Sequence, residues 1–198
     1  MGRKFLNQKK KCTCIIASLI VLSFVLGTCE FIIIGILAEI SEYFSVSLTK
    51  AGMLVSFFAI AYAIGTPIAS LFGSYCSRYR FTIFLMGLFV LGNLLSGLPA
   101  GYFSFVLLRI FLAVVSGALL CLSMTFVPDI TTRENKAAVI AWIFAGFSVA
   151  SVFGVLLGTV LTQLFSWHIA FLLIAAISMV RNEADIIAFV GPGICKNC

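Results

Sequence analysis

Two charged residues lie inside segments of this sequence that are otherwise apolar. Glu30 falls in the run Cys14–Leu37, seven residues before its end, and Arg109 falls in the run Tyr102–Phe126, seven residues past its start. At 1.5 Å of helix rise per residue, each is about 10 Å from that end. An unpaired charge in mid-membrane costs at least about 2.5–3.5 kcal/mol, so such residues face a bundle interior or a water-filled cavity. Opposite charges at matched depth predict an ion pair if the two helices touch. A carboxylate that is protonated in a dry cavity and deprotonated in a wet one is also what proton coupling requires. A purely structural tie between helices would use the same residues, and both readings stand at this stage.

The other reactive side chains offer less. His168, the single histidine, adjoins Trp167 at the boundary of an apolar run. Tryptophans commonly anchor helices at the membrane interface, so an interfacial role is expected there rather than a proton relay. Of seven cysteines, Cys29 and Cys121 lie in apolar runs and are expected to pack as small hydrophobes. Cys12, Cys14, Cys195 and Cys198 have the ligand chemistry of a four-thiolate zinc site but no folded context that would join them, so no metal is expected. No serine, cysteine or histidine cluster has nucleophile–base spacing, and no glycine loop suggests phosphate binding. The chain is therefore expected not to be an enzyme and to need no cofactor.

The elements that would position Glu30 and Arg109 follow from composition. Hydrophobic residues make up 62% of the 198 residues and charged residues 10%, against about 25% charged in soluble domains. The mean hydropathy is +1.19. An integral membrane protein is implied, with room for at most about six or seven spans at about 20 residues each. The apolar runs are Cys14–Leu37, Ala51–Gly73, Phe81–Leu98, Tyr102–Phe126 and Ala137–Leu161, with a shorter sixth from Trp167 to Val180. Each must be helical, because backbone groups in lipid have to be satisfied within the segment. Small residues recur at four-residue spacing: Ala61, Gly65, Ala69 and Gly73; Ala113, Gly117 and Cys121; Gly146, Ala150, Gly154 and Gly158. Such stripes let helix backbones approach closely, in a static or in a moving interface. Pro67 removes one backbone bond and is expected to kink its helix.

The net charge of +6 does not indicate a nucleic-acid partner. Five of the thirteen basic residues, Arg3, Lys4, Lys9, Lys10 and Lys11, directly precede the first apolar run. With the N-terminus inside, inner segments hold eleven Lys or Arg and outer loops only Lys50. The positive-inside rule then predicts a cytoplasmic N-terminus and a multi-pass protein of the cell membrane. Residues 1–13 form the basic N-terminus and 14–180 a six-helix bundle. Residues 181–198 stand apart, because Arg181-Asn182-Glu183-Ala184-Asp185 carries three charges in five positions. Two readings fit this aberrant tail: a short sixth helix followed by a cytoplasmic segment, or a frame-shifted or prematurely ended product. We favour the second, because a short apolar run is poorly accommodated by a bilayer.

The motifs in order resemble the major facilitator superfamily, in particular its drug:proton antiporters of the arabinose-efflux-permease type. The first run carries Thr28-Cys29-Glu30-Phe31 and Gly35-Ile36-Leu37-Ala38-Glu39-Ile40, where that branch reads T-E-F and G-L-L-P-E-I. The link after the second run, Gly73-Ser74-Tyr75-Cys76-Ser77-Arg78-Tyr79-Arg80, stands in place of G-x-L-A-D-R-x-G-R, with Ser77 at the family's Asp and Arg80 at its second Gly. Arg109 followed by Gly117 is a looser R-x-x-x-G motif. Gly154-Val155-Leu156-Leu157-Gly158-Thr159 is similar to G-V-P-L-G-T, and Gln163 to Phe171 is similar to G-Q-x-F-G-W-R-W-A-F.

The resemblance covers about Ile15 to Met179. It implies an all-α fold, the N-terminal six-helix half of a two-half transporter, with the sixth helix short or truncated. It further implies proton-driven export of drugs, sugars or other small molecules through a cavity lined by the first, second, fourth and fifth spans. Glu30 would be the proton-linked acid and Arg109 its partner. Gly73, Ser77, Arg78 and Arg80 would latch the inward-closed state, and Gly146, Gly154 and Gly158 would form the antiporter-like helix motif. The expected partners are the lipid bilayer, protons and a substrate, and a second half-transporter or a second copy. A non-transporting membrane fragment or structural subunit is the alternative.

Overall fold

The computed structural model describes the backbone of residues 2–75, 77–98 and 101–190, and side chains over 12–68, 70–71, 77–98 and 101–179. Among the described residues there are seven helices and no strand: α1 (Gly2–Gly35), α2 (Leu37–Tyr43), α3 (Leu48–Tyr75), α4 (Arg78–Ser96), α5 (Tyr102–Ile130), α6 (Lys136–Leu164) and α7 (Trp167–Val190). Five are long and apolar enough to cross a membrane, within α1, α3, α4, α5 and α6. The fold is all-α, as the apolar runs require.

The first run is not one unbroken helix to its end. At Ile36 the α-helix is interrupted (φ −110°, ψ 10°), its N–H donating to the Ile33 carbonyl at 3.3 Å, and the short α2 begins at the next residue. Ser45 adopts φ 52° in the turn that follows, and the Ser41 hydroxyl donates to the Val46 carbonyl at 2.7 Å. α3 is helical through Pro67 without interruption.

α7 departs from the sequence reading in its extent. Within the residues whose side chains are described, its apolar part is Trp167–Met179. The helix nevertheless does not stop there but runs on through Arg181–Asp185 to Val190. Arg, Glu and Ala are good helix formers, so a cluster of charges ends the apolar run without breaking the backbone pattern. The segment expected to be an aberrant tail is thus helical as far as Val190, and residues 191–198 lie outside the described residues.

Packing divides the bundle into pairs. α1 lies along α6, α3 along α5, and α4 sits between α5 and α7. α1 and α5 are the most buried spans, whereas α3 and α6 each leave a broad apolar face uncovered. On α3 that face carries Met53, Phe57, Ile60, Ile64, Ile68 and Leu71. The core between α1, α5 and α7 is built from Leu26, Ile36, Phe105, Leu112, Phe171 and Ile174. Lipid tails are as apolar as these side chains, so close packing and interhelical hydrogen bonds rather than water exclusion hold the helices together. One such bond runs from the Ser23 hydroxyl of α1 to the Ile143 carbonyl of α6, at 2.8 Å.

Candidate functional site

Arg109 is 1% exposed, among the largest fully buried side chains of the chain. It points from α5 toward α1, where Nη1 donates to the Cys29 carbonyl at 3.1 Å. Its guanidinium lies 4.5 Å from the Phe171 ring centroid and 5.6 Å from that of Phe105. Cation–π attraction is strongest where the cation is desolvated, as here. Nε and Nη2 have no hydrogen-bond partner. Beside this group the Cys29 thiol donates to Asn93 Oδ1 at 3.2 Å, and Asn93 Nδ2 donates to the Phe89 carbonyl at 2.9 Å. Arg109, Cys29 and Asn93 therefore link α5, α1 and α4 in one polar cluster.

Glu30 is not part of that cluster, which corrects the expected ion pair. The one ion pair among the described residues joins other side chains, so Glu30 and Arg109 are not in contact in this structure. The reason is the helix itself. Successive residues are about 100° apart around the axis. Cys29 faces the Arg109 core, so Glu30 is turned away from it, half-buried, next to the exposed Ile34. On that side it neighbours Tyr62 of α3, an uncharged phenol. Glu30 thus sits on a different face of α1 from Cys29, near Tyr62 of α3, while Arg109 is buried behind α1.

The glycine stripes lie at the two tightest interfaces. A Cβ on Gly146 would come within 2.9 Å of the Ile20 carbonyl, on Gly154 within 3.2 Å of Thr28 backbone, and on Gly158 within 2.7 Å of the Ile32 carbonyl. All three meet α1, which answers with its own small residues. Gly27 abuts Ala150, and Gly35 abuts the Val155 carbonyl with no room for a side chain. At the α3–α5 interface Gly117 touches Thr66 and Gly65 touches Val114. The surroundings of Ala69 and Gly73 lie outside the described residues.

The link between α3 and α4 is tied to α5. Arg78 Nη1 lies 3.3 Å from Asp129 Oδ2 and donates to the Thr125 carbonyl at 3.2 Å. Ser77 precedes α4 as its N-cap, without a side-chain capping bond, and Arg80 is exposed. Sequence reasoning singled out neither Asp129 nor Asn93. Asp129 had a readable signal: an acid next to Pro128, at the same end as the basic link. Asn93 had a weaker one, as a lone amide in the apolar run Phe81–Leu98. Of the cysteines, Cys12 is buried and Cys14 exposed, while Cys195 and Cys198 lie outside the described residues.

Comparison with known proteins agrees with this architecture. The family model of the Major Facilitator Superfamily matches residues 19–181. The putative transporter AraJ of Escherichia coli (strain K12) is 33% identical over 165 residues, which are 83% of this chain and 42% of that protein. The MFS-type transporter YtbD of Bacillus subtilis (strain 168) is 32% identical over 177 residues, 89% of this chain and 43% of that protein. The chain therefore spans less than half the length of the curated relatives it matches. Among solved structures, a bacterial homologue of the human lysosomal transporter Spinster, inward-facing and unoccupied, superposes with a TM-score of 0.79 at 16% identity. That match covers 95% of this chain and 44% of the other, and it bears on the fold alone. With the family model covering most of the chain, its helices paired as described, and its relatives transporters, the protein belongs to the Major Facilitator Superfamily.

Proposed function

We propose that this six-helix bundle is the N-terminal half of a proton-coupled exporter of small molecules, resident in the cell membrane with its N-terminus in the cytoplasm. The observation that carries the reading is Glu30: a half-buried carboxylate on the span α1, near Tyr62 of α3 and without an ion pair to the buried Arg109. A carboxylate there is exposed to the pathway whenever that face is wet, and is driven to its protonated form when the face closes. In this reading Glu30 carries the proton. Arg109, through the Cys29 carbonyl, fixes the α1 backbone that presents it. The close α1–α6 and α3–α5 contacts keep each pair rigid as the bundle moves. Arg78, bound to Asp129 and the Thr125 carbonyl, ties the α3–α4 link to the end of α5, and this is the contact we assign to latching. The uncovered apolar faces of α3 and α6 meet lipid or a second bundle.

Alternating access around a central site uses two repeats that move against one another. The expected outcome for the 198-residue chain alone, reconstituted in vesicles under a proton gradient, is no substrate flux above that of protein-free vesicles. Co-reconstitution with the C-terminal half of a relative such as AraJ should restore proton-dependent flux, and Glu30→Gln should abolish that flux. Counterflow by the chain alone would overturn the half-transporter reading in favour of a homodimer. Flux that survives Glu30→Gln would remove the proton-carrier role.

A further inference from the structure

We propose that Tyr62 is the positioning residue for Glu30: its hydroxyl donates a hydrogen bond to the ionised carboxylate and lets go when that carboxyl takes up a proton. The pairing is a property of this chain alone, whereas its part in transport rests on the exporter reading above.

Around the α1 axis Cys29 faces the Arg109 core, and the Phe31 ring meets Phe147 of α6 edge-on, with 5.8 Å between centroids. Glu30 therefore takes the flank between those two directions. Its neighbour there is Tyr62 of α3. The Tyr62 ring is held by its own helix and by α5. A Cβ at Gly117 of α5 would lie 3.3 Å from Tyr62 Cε2, so the ring rests where α5 has no side chain. Phe58 stacks on it from one turn earlier, with centroids 6.3 Å apart and planes 26° from parallel. The Thr66 hydroxyl donates to the Tyr62 carbonyl at 2.6 Å and shares the notch at Gly117.

Tyr62 and Glu30 are both half-buried in apolar spans, and neither side chain makes a hydrogen bond or ion pair among the described residues. Polar side chains at membrane depth bond across helices because lipid offers them nothing. A phenol donates and an ionised carboxylate only accepts, so the two are complementary until Glu30 is protonated. The other ionisable groups around this part of α1 do not compete. Arg109 is bonded to the Cys29 carbonyl, and the Cys29 thiol to Asn93. Cys121 of α5 lies near Tyr62 and is a weak donor and acceptor. α6 brings Phe147 and Phe153 against α1, and α7 has no ionisable residue from Ile169 to Met179.

The test is infrared spectroscopy of the 198-residue chain in lipid bilayers. The difference spectrum against Glu30→Gln identifies the Glu30 bands, and that against Tyr62→Phe the phenol band. Tyr62→Phe keeps the ring on its seat and removes only the hydroxyl. It should displace the Glu30 carboxylate stretch, and Glu30→Gln should in turn displace the phenol band of Tyr62. A carboxylate that loses a donor holds its proton more tightly. Glu30 in Tyr62→Phe should therefore be half-protonated at a roughly tenfold lower proton concentration than in the wild type. Tyr102→Phe is the control: that hydroxyl donates to the Lys50 carbonyl at 2.6 Å, and its loss should leave Glu30 unmoved. An unchanged Glu30 band and titration in Tyr62→Phe, or an equal shift in Tyr102→Phe, would overturn the pairing. These measurements need no substrate, so they separate the pair from the transport reading. A shifted titration together with flux that survives Glu30→Gln would uphold the pair and remove only its role in coupling.

Discussion

Arg109 is held by a main-chain oxygen and two aromatic rings, none of which carries a formal charge. That arrangement separates its energetics from those of Glu30. Arg109→Gln removes the bond to the Cys29 carbonyl and the contacts with Phe105 and Phe171. It should lower stability by about 1–3 kcal/mol, the usual cost of leaving a buried polar group unmatched. Glu30→Gln removes a half-buried carboxylate with no ion-pair partner, and should leave stability unchanged or raise it, by at most about 2.5–3.5 kcal/mol. The double variant should then equal the sum of the two within about 0.5 kcal/mol. Unfolding in mixed micelles checks this, and a double variant clearly more stable than the sum would reinstate a Glu30–Arg109 pair. The sequence made the two residues visible because each interrupts an apolar run. It did not reveal their separation, because matched depth specifies height along a helix axis and says nothing about rotation around it. Asn93 and Phe171 were hidden for a related reason: a residue that completes a site from a third or fourth helix leaves no local spacing pattern.

At the scale of elements, the α1–α6 contact is the tightest in the bundle, and its glycines set the distance. A Cβ at Gly158 would stand 2.7 Å from the Ile32 carbonyl, a backbone atom that cannot swing aside. Gly158→Val should therefore force α6 off α1, at the roughly 1–3 kcal/mol typical of overpacking. Gly52→Ala provides the contrast, since nothing lies within 4 Å of the Cβ it would add. Alanine there should be neutral or slightly stabilising, because it favours helix by up to about 1 kcal/mol over glycine. Thermal unfolding of the two variants in one detergent compares them, and equal shifts would refute the packing account. The stripe Gly146, Ala150, Gly154, Gly158 was legible in the sequence because close approach demands small residues at helical spacing. Its partner was not, because small side chains record that a backbone comes near without recording which one. The break at Ile36 was equally silent, since the preceding residue is a glycine with packing reasons of its own. The extent of α7 was hidden for the opposite reason: hydropathy reports where lipid ends, and a helix is free to continue past that point.

For the whole molecule, the remaining quantity is orientation, and the basic residues argue it together with the fold. The α3–α4 link and the far end of α5 lie on one side, joined by Arg78 and Asp129. Arg133 follows α5 on that same side, and Lys50, exposed in the first turn of α3, lies at the opposite end of its helix. In the proposed orientation eleven Lys or Arg lie inside against one outside, so the Arg78 side is expected in the cytoplasm. Single-cysteine labelling of intact cells with a membrane-impermeant maleimide tests this directly. Lys50→Cys should label without permeabilisation. Arg133→Cys should label only after it. The wild-type chain supplies the background: Cys29 is buried, Cys14 belongs to the cytoplasmic end in this orientation, and Cys76, in the link beyond the described residues, is expected to be protected too. Labelling of Arg133→Cys but not Lys50→Cys in intact cells would invert the topology.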